Sequence, residues 1–152
     1  MTYDVAEARQ NLLDTIAAAI DDLAVALAAL GGAYELLDDQ NADLLEEELF
    51  RPVQTAYGRA RRTHAAFAER SGLPGREFAP APEGAPSHGT QGFVEAAVEA
   101  TLDADQTLAD LQDSLAPVEV GDPELRAGLS EVRTLIGPLE SRAGRFLSGR
   151  GR

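Results

Sequence analysis

Apolar residues recur at three- and four-residue intervals from Val5 to Leu30, through Ala8, Leu12, Ile16, Ala19, Leu23 and Ala26 or Leu27. A stripe that long and regular is buried most simply as one face of an α-helix. The same spacing returns three more times. Leu37, Leu44, Leu45 and Leu49 lead into Phe50, Val53, Tyr57, Ala60, His64 and Phe67. Phe93, Ala97, Ala100, Ala104, Leu108, Leu111 and Leu115 follow, widened by Val94, Val98 and Leu102, and then Leu125, Leu129, Val132, Ile136, Leu139, Ala143 and Phe146. No segment competes as a strand, since Val118-Glu119-Val120 is too short. The expected fold is therefore all-α, an antiparallel, up-down four-helix bundle in a single domain covering 1–152.

Punctuation sets the expected boundaries. Gly31-Gly32 reads as a helix stop, and Asp122-Pro123-Glu124 reads as an N-cap followed by a proline and an acid suited to the first turn. Pro117 is expected to close the third helix, while Pro52 should kink or break the second, because proline lacks the N–H and clashes with the preceding turn. The stretch APAPEGAPSHGTQG reads as an extended surface linker with little tendency to pack. The helices predicted are about 4–30, 33–71, 91–116 and 122–148, with the linker at about 73–90.

Pro52-Val53-Gln54-Thr55-Ala56-Tyr57-Gly58-Arg59 resembles Pro138-Leu139-Glu140-Ser141-Arg142-Ala143-Gly144-Arg145 in its proline, glycine and arginine. A duplicated helical hairpin would explain this. It would place kinks at Pro52 and Pro138, with glycines beyond them where backbones could approach closely.

Charge is the second constraint. The net charge is −13, and all the basic residues are arginine. Residues 1–50 hold twelve acids and one arginine, and 95–124 hold nine acids and no base, whereas 51–76 and 126–152 each hold six arginines. Alternating acidic and basic segments would face each other in an up-down bundle. Alternatively, Arg59, Arg62, Arg142, Arg145, Arg150 and Arg152 form an exposed patch for an anionic ligand or acidic partner. Such acidity argues against nucleic-acid binding by the molecule as a whole.

Few chemistries fit the composition. The absence of cysteine excludes disulfides, thiolate catalysis and Cys-based zinc sites. With two histidines and no Glu-x-x-His, a ferritin-like carboxylate metal site lacks its usual donors. Glu95, Glu99, Asp103, Asp110 and Asp113 fall on one polar face suited to solvent; Asp105 sits nearest a core stripe. No phosphate loop and no activated serine is present, and neither catalytic residue, cofactor nor metal is assigned. The amino terminus does not read as a signal peptide, and Ile16–Leu30, interrupted by Asp21 and Asp22, is shorter than the ~20 residues of a membrane span. A cytoplasmic location with no membrane partner is expected.

His64 falls on an apolar stripe beside Arg61 and Arg62, whose charges would favour neutral imidazole; a core-edge histidine with a satisfied hydrogen bond is expected. The functional expectation is a non-enzymatic bundle acting through protein–protein contacts or self-association, as an adaptor, regulatory or structural subunit. The alternative is a small-molecule or anion site near Tyr57, Arg59, Arg62, His64, Arg142 and Arg145, and a ferritin-like metal protein is the weaker third reading.

Overall fold

The structure, a computed structural model, describes residues 4–85 and 88–150, and these are all-helical, with no strand among them. Helix α1 spans Val5–Glu35 and α2 spans Asp39–Leu45; a π turn at Glu46–Phe50 leads into α3, Arg51–Arg70. After the linker come α4 (Gly89–Asp113), the single turn α5 (Ala116–Glu119), α6 (Pro123–Ile136) and α7 (Leu139–Arg150).

Local chemistry accounts for most ends. Asp4 caps α1 by accepting the Glu7 N–H at 3.1 Å, and Asp122 caps α6 by accepting the Leu125 N–H at 2.8 Å. The expected stop at Gly31-Gly32 does not occur. Glycine lowers helix propensity by only about 1 kcal/mol, and Gly32 is buried where an added Cβ would meet the Phe93 ring at 2.8 Å. The glycine permits a close α1–α4 crossing and the helix runs through it. As a result α1, at 31 residues, is long and apolar enough to cross a membrane by length and composition, contrary to the shorter span expected. Most of its apolar window is buried within the fold.

Pro52 does not end the second helix either. A π turn precedes it, with the Arg51 N–H donating to the Glu46 carbonyl; the extra residue in that turn lets the helix accommodate the proline. Pro138 lies in different surroundings. There Gly137-Pro138 separates α6 from α7. The glycines of the repeat are not close-contact points: a Cβ on Gly144 would meet nothing within 4 Å, and one on Gly58 would meet only the Arg62 guanidinium. The close approach falls instead at Gly128, against Thr63.

The helix contacts follow a consistent order. The C-terminal end of α1 meets the N-terminal end of α4 through Gly32 and Phe93, while Leu12 near its start and Leu111 near the end of α4 line one hollow. Along α3 and α6, Arg59 faces Glu131, Thr63 faces Gly128 and Arg70 faces Asp122. α7 packs on α4 and the π turn. Leu12, Ile16, Ile20, Leu23, Leu45, Leu49, Phe67, Leu108, Leu125 and Leu129 are fully buried between these helices. Four expected core positions are instead exposed: Val5, Leu44, Leu102 and Leu115. Leu115 takes a left-handed conformation (φ 68°) that ends α4 ahead of the Pro117 turn.

The linker is the largest departure from expectation. Leu73 and Phe78 pack against the core cluster, and Arg76 reaches Asp21 of α1 at 3.0 Å. Two apolar side chains and one ion pair suffice to lay a Pro/Gly-rich segment onto the α1–α3 seam.

Candidate functional site

α3 presents three faces. Tyr57, Ala60, His64 and Phe67 turn toward α1 and the core, and Arg59, Thr63 and Arg70 turn toward α6. The third face, Gly58, Arg61, Arg62 and Ala65, forms one wall of a cleft of about 540 Å³. Arg76, Glu77 and Phe78 of the linker form the other wall.

His64 lies beneath this cleft. It is 3% exposed, deeper than the core-edge position expected, and its Nδ1 has no hydrogen-bond partner. The expectation of a satisfied imidazole thus fails at that atom. Phe78 closes over the ring edge-on, with centroids 5.3 Å apart. Burial, and then the Arg76 charge, hold the imidazole below its usual value near 6.5; the Leu13 main chain and the Asp14 carboxylate act in the opposite sense. The cation that matters is Arg76, not the sequence neighbours Arg61 and Arg62.

The arginines around the cleft are held by aromatic rings. Arg61 lies over Tyr57 at 5.1 Å and Arg76 over Phe78 at 4.7 Å. Among the described residues, Arg76 pairs with Asp21, but no carboxylate lies within ion-pair distance of Arg61 or Arg62. Both are exposed. In a chain of net charge −13, two unpaired guanidinium groups and a third nearby make a local positive concentration against the general field.

The residues singled out in the sequence therefore divide. Arg62 and His64 come together around Phe78, while Tyr57 bounds the neighbouring hollow and meets the cleft only through Arg61, which lies over its ring. Arg59 does not join them; it pairs with Glu131 at 2.6 Å and donates to Thr63 Oγ1. Arg142 and Arg145 lie on α7 and line neither this cleft nor the hollows beside it. The Arg150 side chain and Arg152 lie outside the described residues. Asp105 pairs with Arg133 at 2.9 Å, and Arg133 also donates to Gln112, tying α4 to α6. No group of three or more histidine or acidic side chains among the described residues is placed to hold a metal.

Sequence reasoning missed Arg76 and Phe78, because both sit in a segment whose composition reads as linker. Phe78 was the available signal: a lone large aromatic in a Pro/Gly-rich stretch has a high burial value and no helix of its own. Two apolar hollows continue along the seam, one of about 330 Å³ beside Leu27, Ala28, Phe50 and Tyr57, the other of about 300 Å³ beside Tyr34 and Phe50. No protein-family model, curated protein or solved structure matches the chain.

Proposed function

We propose that this protein is an antiparallel, up-down four-helix bundle, with α2–α3 and α6–α7 each acting as one bent helix, and that it binds a small anionic ligand without catalysing a reaction. The observation that carries this reading is the cleft where Arg61 and Arg62, free of carboxylate partners, face Arg76 across about 540 Å³. Guanidinium groups offer forked donors that match carboxylate, phosphate and sulfate geometry. Here Tyr57 and Phe78 hold two of them against rings, so less side-chain freedom is lost on binding. Nothing in this reading requires nucleic acid, a membrane or a cofactor.

The test is a nuclear magnetic resonance titration of the full chain with inorganic phosphate. Shifts should concentrate at Arg61, Arg62, Arg76 and Phe78, and should disappear in Arg61→Gln/Arg62→Gln. Saturable shifts centred on Arg142 and Arg145, or no shifts at all, would refute the assignment.

A second reading, contact with a protein partner or self-association, has its own observation. Tyr34, Leu36 and Leu44 are each more than 40% exposed around the α1–α2 turn, and exposed apolar groups near one another mark contact surfaces. Size-exclusion chromatography showing a dimer that Leu36→Glu/Leu44→Glu converts to monomer would support it; a monomer at every concentration would end it.

A further inference from the structure

We infer, resting on the anion-binding reading above, that the ligand is a soluble amphiphile with one anionic head and an uncharged tail, such as a long-chain carboxylate, whose tail lies along the α1–α3 seam. Two apolar hollows lie along α3 on the N-terminal side of the arginine cleft. The middle one is bounded by Leu27, Ala28, Gly31, Phe50 and Tyr57, with Pro80 and Ala81 of the linker beside them. The far one is bounded by Gly31, Tyr34 and Phe50. Gly31 and Phe50 belong to both, and Tyr57, which bounds the middle hollow, lies under Arg61, which lines the cleft, so one residue pair separates the two spaces. From Gly58 to Phe50 the helix rises about 12 Å at 1.5 Å per residue, room for an extended alkyl chain rather than for a headgroup alone.

Charge sets the orientation. Arg61, Arg62 and Arg76 stand at one end and outnumber the single carboxylate there, Glu77; Glu83 lies beside the middle hollow, and Glu35 and Glu46 at the far end. An anionic head is attracted only at the arginines. A second anionic group at the tail tip would meet two carboxylates and be repelled, so a monoanion fits and a long dicarboxylate does not. The occupant is a dissolved molecule and not a bilayer surface, because the hollows lie between helices beside the linker and a chain of net charge −13 is repelled by anionic lipid.

Gly31 offers a clean block. A Cβ there would meet only Glu83 Oε1, at 3.6 Å, so Gly31→Phe adds a ring to the hollows without backbone strain. Calorimetric titration of the full chain with acetate and with dodecanoate below its micelle concentration tests the inference. Dodecanoate should bind at least about tenfold more tightly than acetate, since each buried methylene adds favourable transfer free energy. Arg61→Gln/Arg62→Gln should weaken both ligands about tenfold, whereas Gly31→Phe should remove the dodecanoate advantage and leave acetate unchanged. Ala28→Phe, from the same wall, replaces Gly31→Phe should that variant fail to fold. Equal affinity for the two ligands overturns the tail assignment while leaving an anion site. Binding of neither removes the anion-binding reading as well. Dodecanoate binding indifferent to every variant, or capture by anionic phospholipid vesicles without binding of monomeric dodecanoate, also overturns the inference.

Discussion

Phe78 stands edge-on to the buried His64 ring, at 5.3 Å and 89°, so the linker is fastened to the core at the point where the arginine cleft begins. Much of what this protein could bind depends on that contact. Phe78 is half-buried, so Phe78→Ala should cost about 2 kcal/mol, less than the 3–5 typical of a fully buried phenylalanine. Limited proteolysis should then cut between residues 73 and 85 faster than in the parent protein. Unchanged stability together with unchanged cleavage would mean that the linker is held elsewhere.

His64 gives the fold a specific acid sensitivity. Its folded value lies below the ordinary value near 6.5, because burial and Arg76 disfavour the imidazolium. Between those two values the unfolded chain binds more protons than the folded one, so stability rises with pH through that window and falls on acidification from about 6.5 downward. Asp122, held low mainly by the Arg70 hydrogen bond, stabilises above the ordinary carboxylate value and loses that contribution only as pH falls below it. Asp22, raised by burial and then by Asp103 and Asp21, has the opposite sign in the carboxylate range. Denaturant midpoints between pH 7 and pH 5 should decline, and His64→Gln should flatten the decline. An equal slope in the variant would assign it to other groups.

Two glycines should respond to alanine in opposite directions. On Gly128 a Cβ would collide with the Thr63 side chain, which is itself fixed by accepting from Arg59 and donating to the Arg59 carbonyl. Gly128→Ala should therefore lose about 2 kcal/mol by overpacking, and adding Thr63→Ala should recover part of it. On Gly144 a Cβ would meet nothing within 4 Å, so Gly144→Ala should gain about 0.5–1 kcal/mol from helix propensity alone. Thermal or urea unfolding reads both.

Asp122 performs two tasks that substitution can separate. It caps α6 through the Leu125 N–H, and it receives two hydrogen bonds from Arg70 at 2.7 and 2.9 Å. Asp122→Asn keeps a capping oxygen and should cost less than Asp122→Ala, for which about 1 kcal/mol is expected from the cap. High salt should narrow the difference between the parent protein and Asp122→Asn, but should leave the alanine penalty largely in place. Equal costs for both variants would place the stabilisation in the ion pair.

The helical class and most of the core were legible because periodicity is a property of the chain itself. Every position of the stripe from Leu125 to Phe146 is buried as expected. The Asp122 cap was legible too, since its chemistry is local. What escaped the sequence depends on partners distant along the chain. Gly31-Gly32 reads as a stop until Phe93 is seen to need the space above Gly32, and the linker reads as unpacked until Phe78 is set over His64. Of the six candidate site residues that the stripe and the charge pattern suggest, Arg62 and His64 converge on Phe78, and Tyr57 lies next door under Arg61. Arg59 was drawn away by Glu131, a partner that no spacing in the sequence indicates.

The most direct measurement is the set of intermolecular nuclear Overhauser contacts from dodecanoate bound to the full chain. Contacts are expected from the methyl end of the alkyl chain to Phe50 and Tyr34, and from the carbons next to the carboxylate to Arg61, Arg62 and Phe78. The reverse order, or contacts confined to α7 and the arginines at 142 and 145, would contradict this placement.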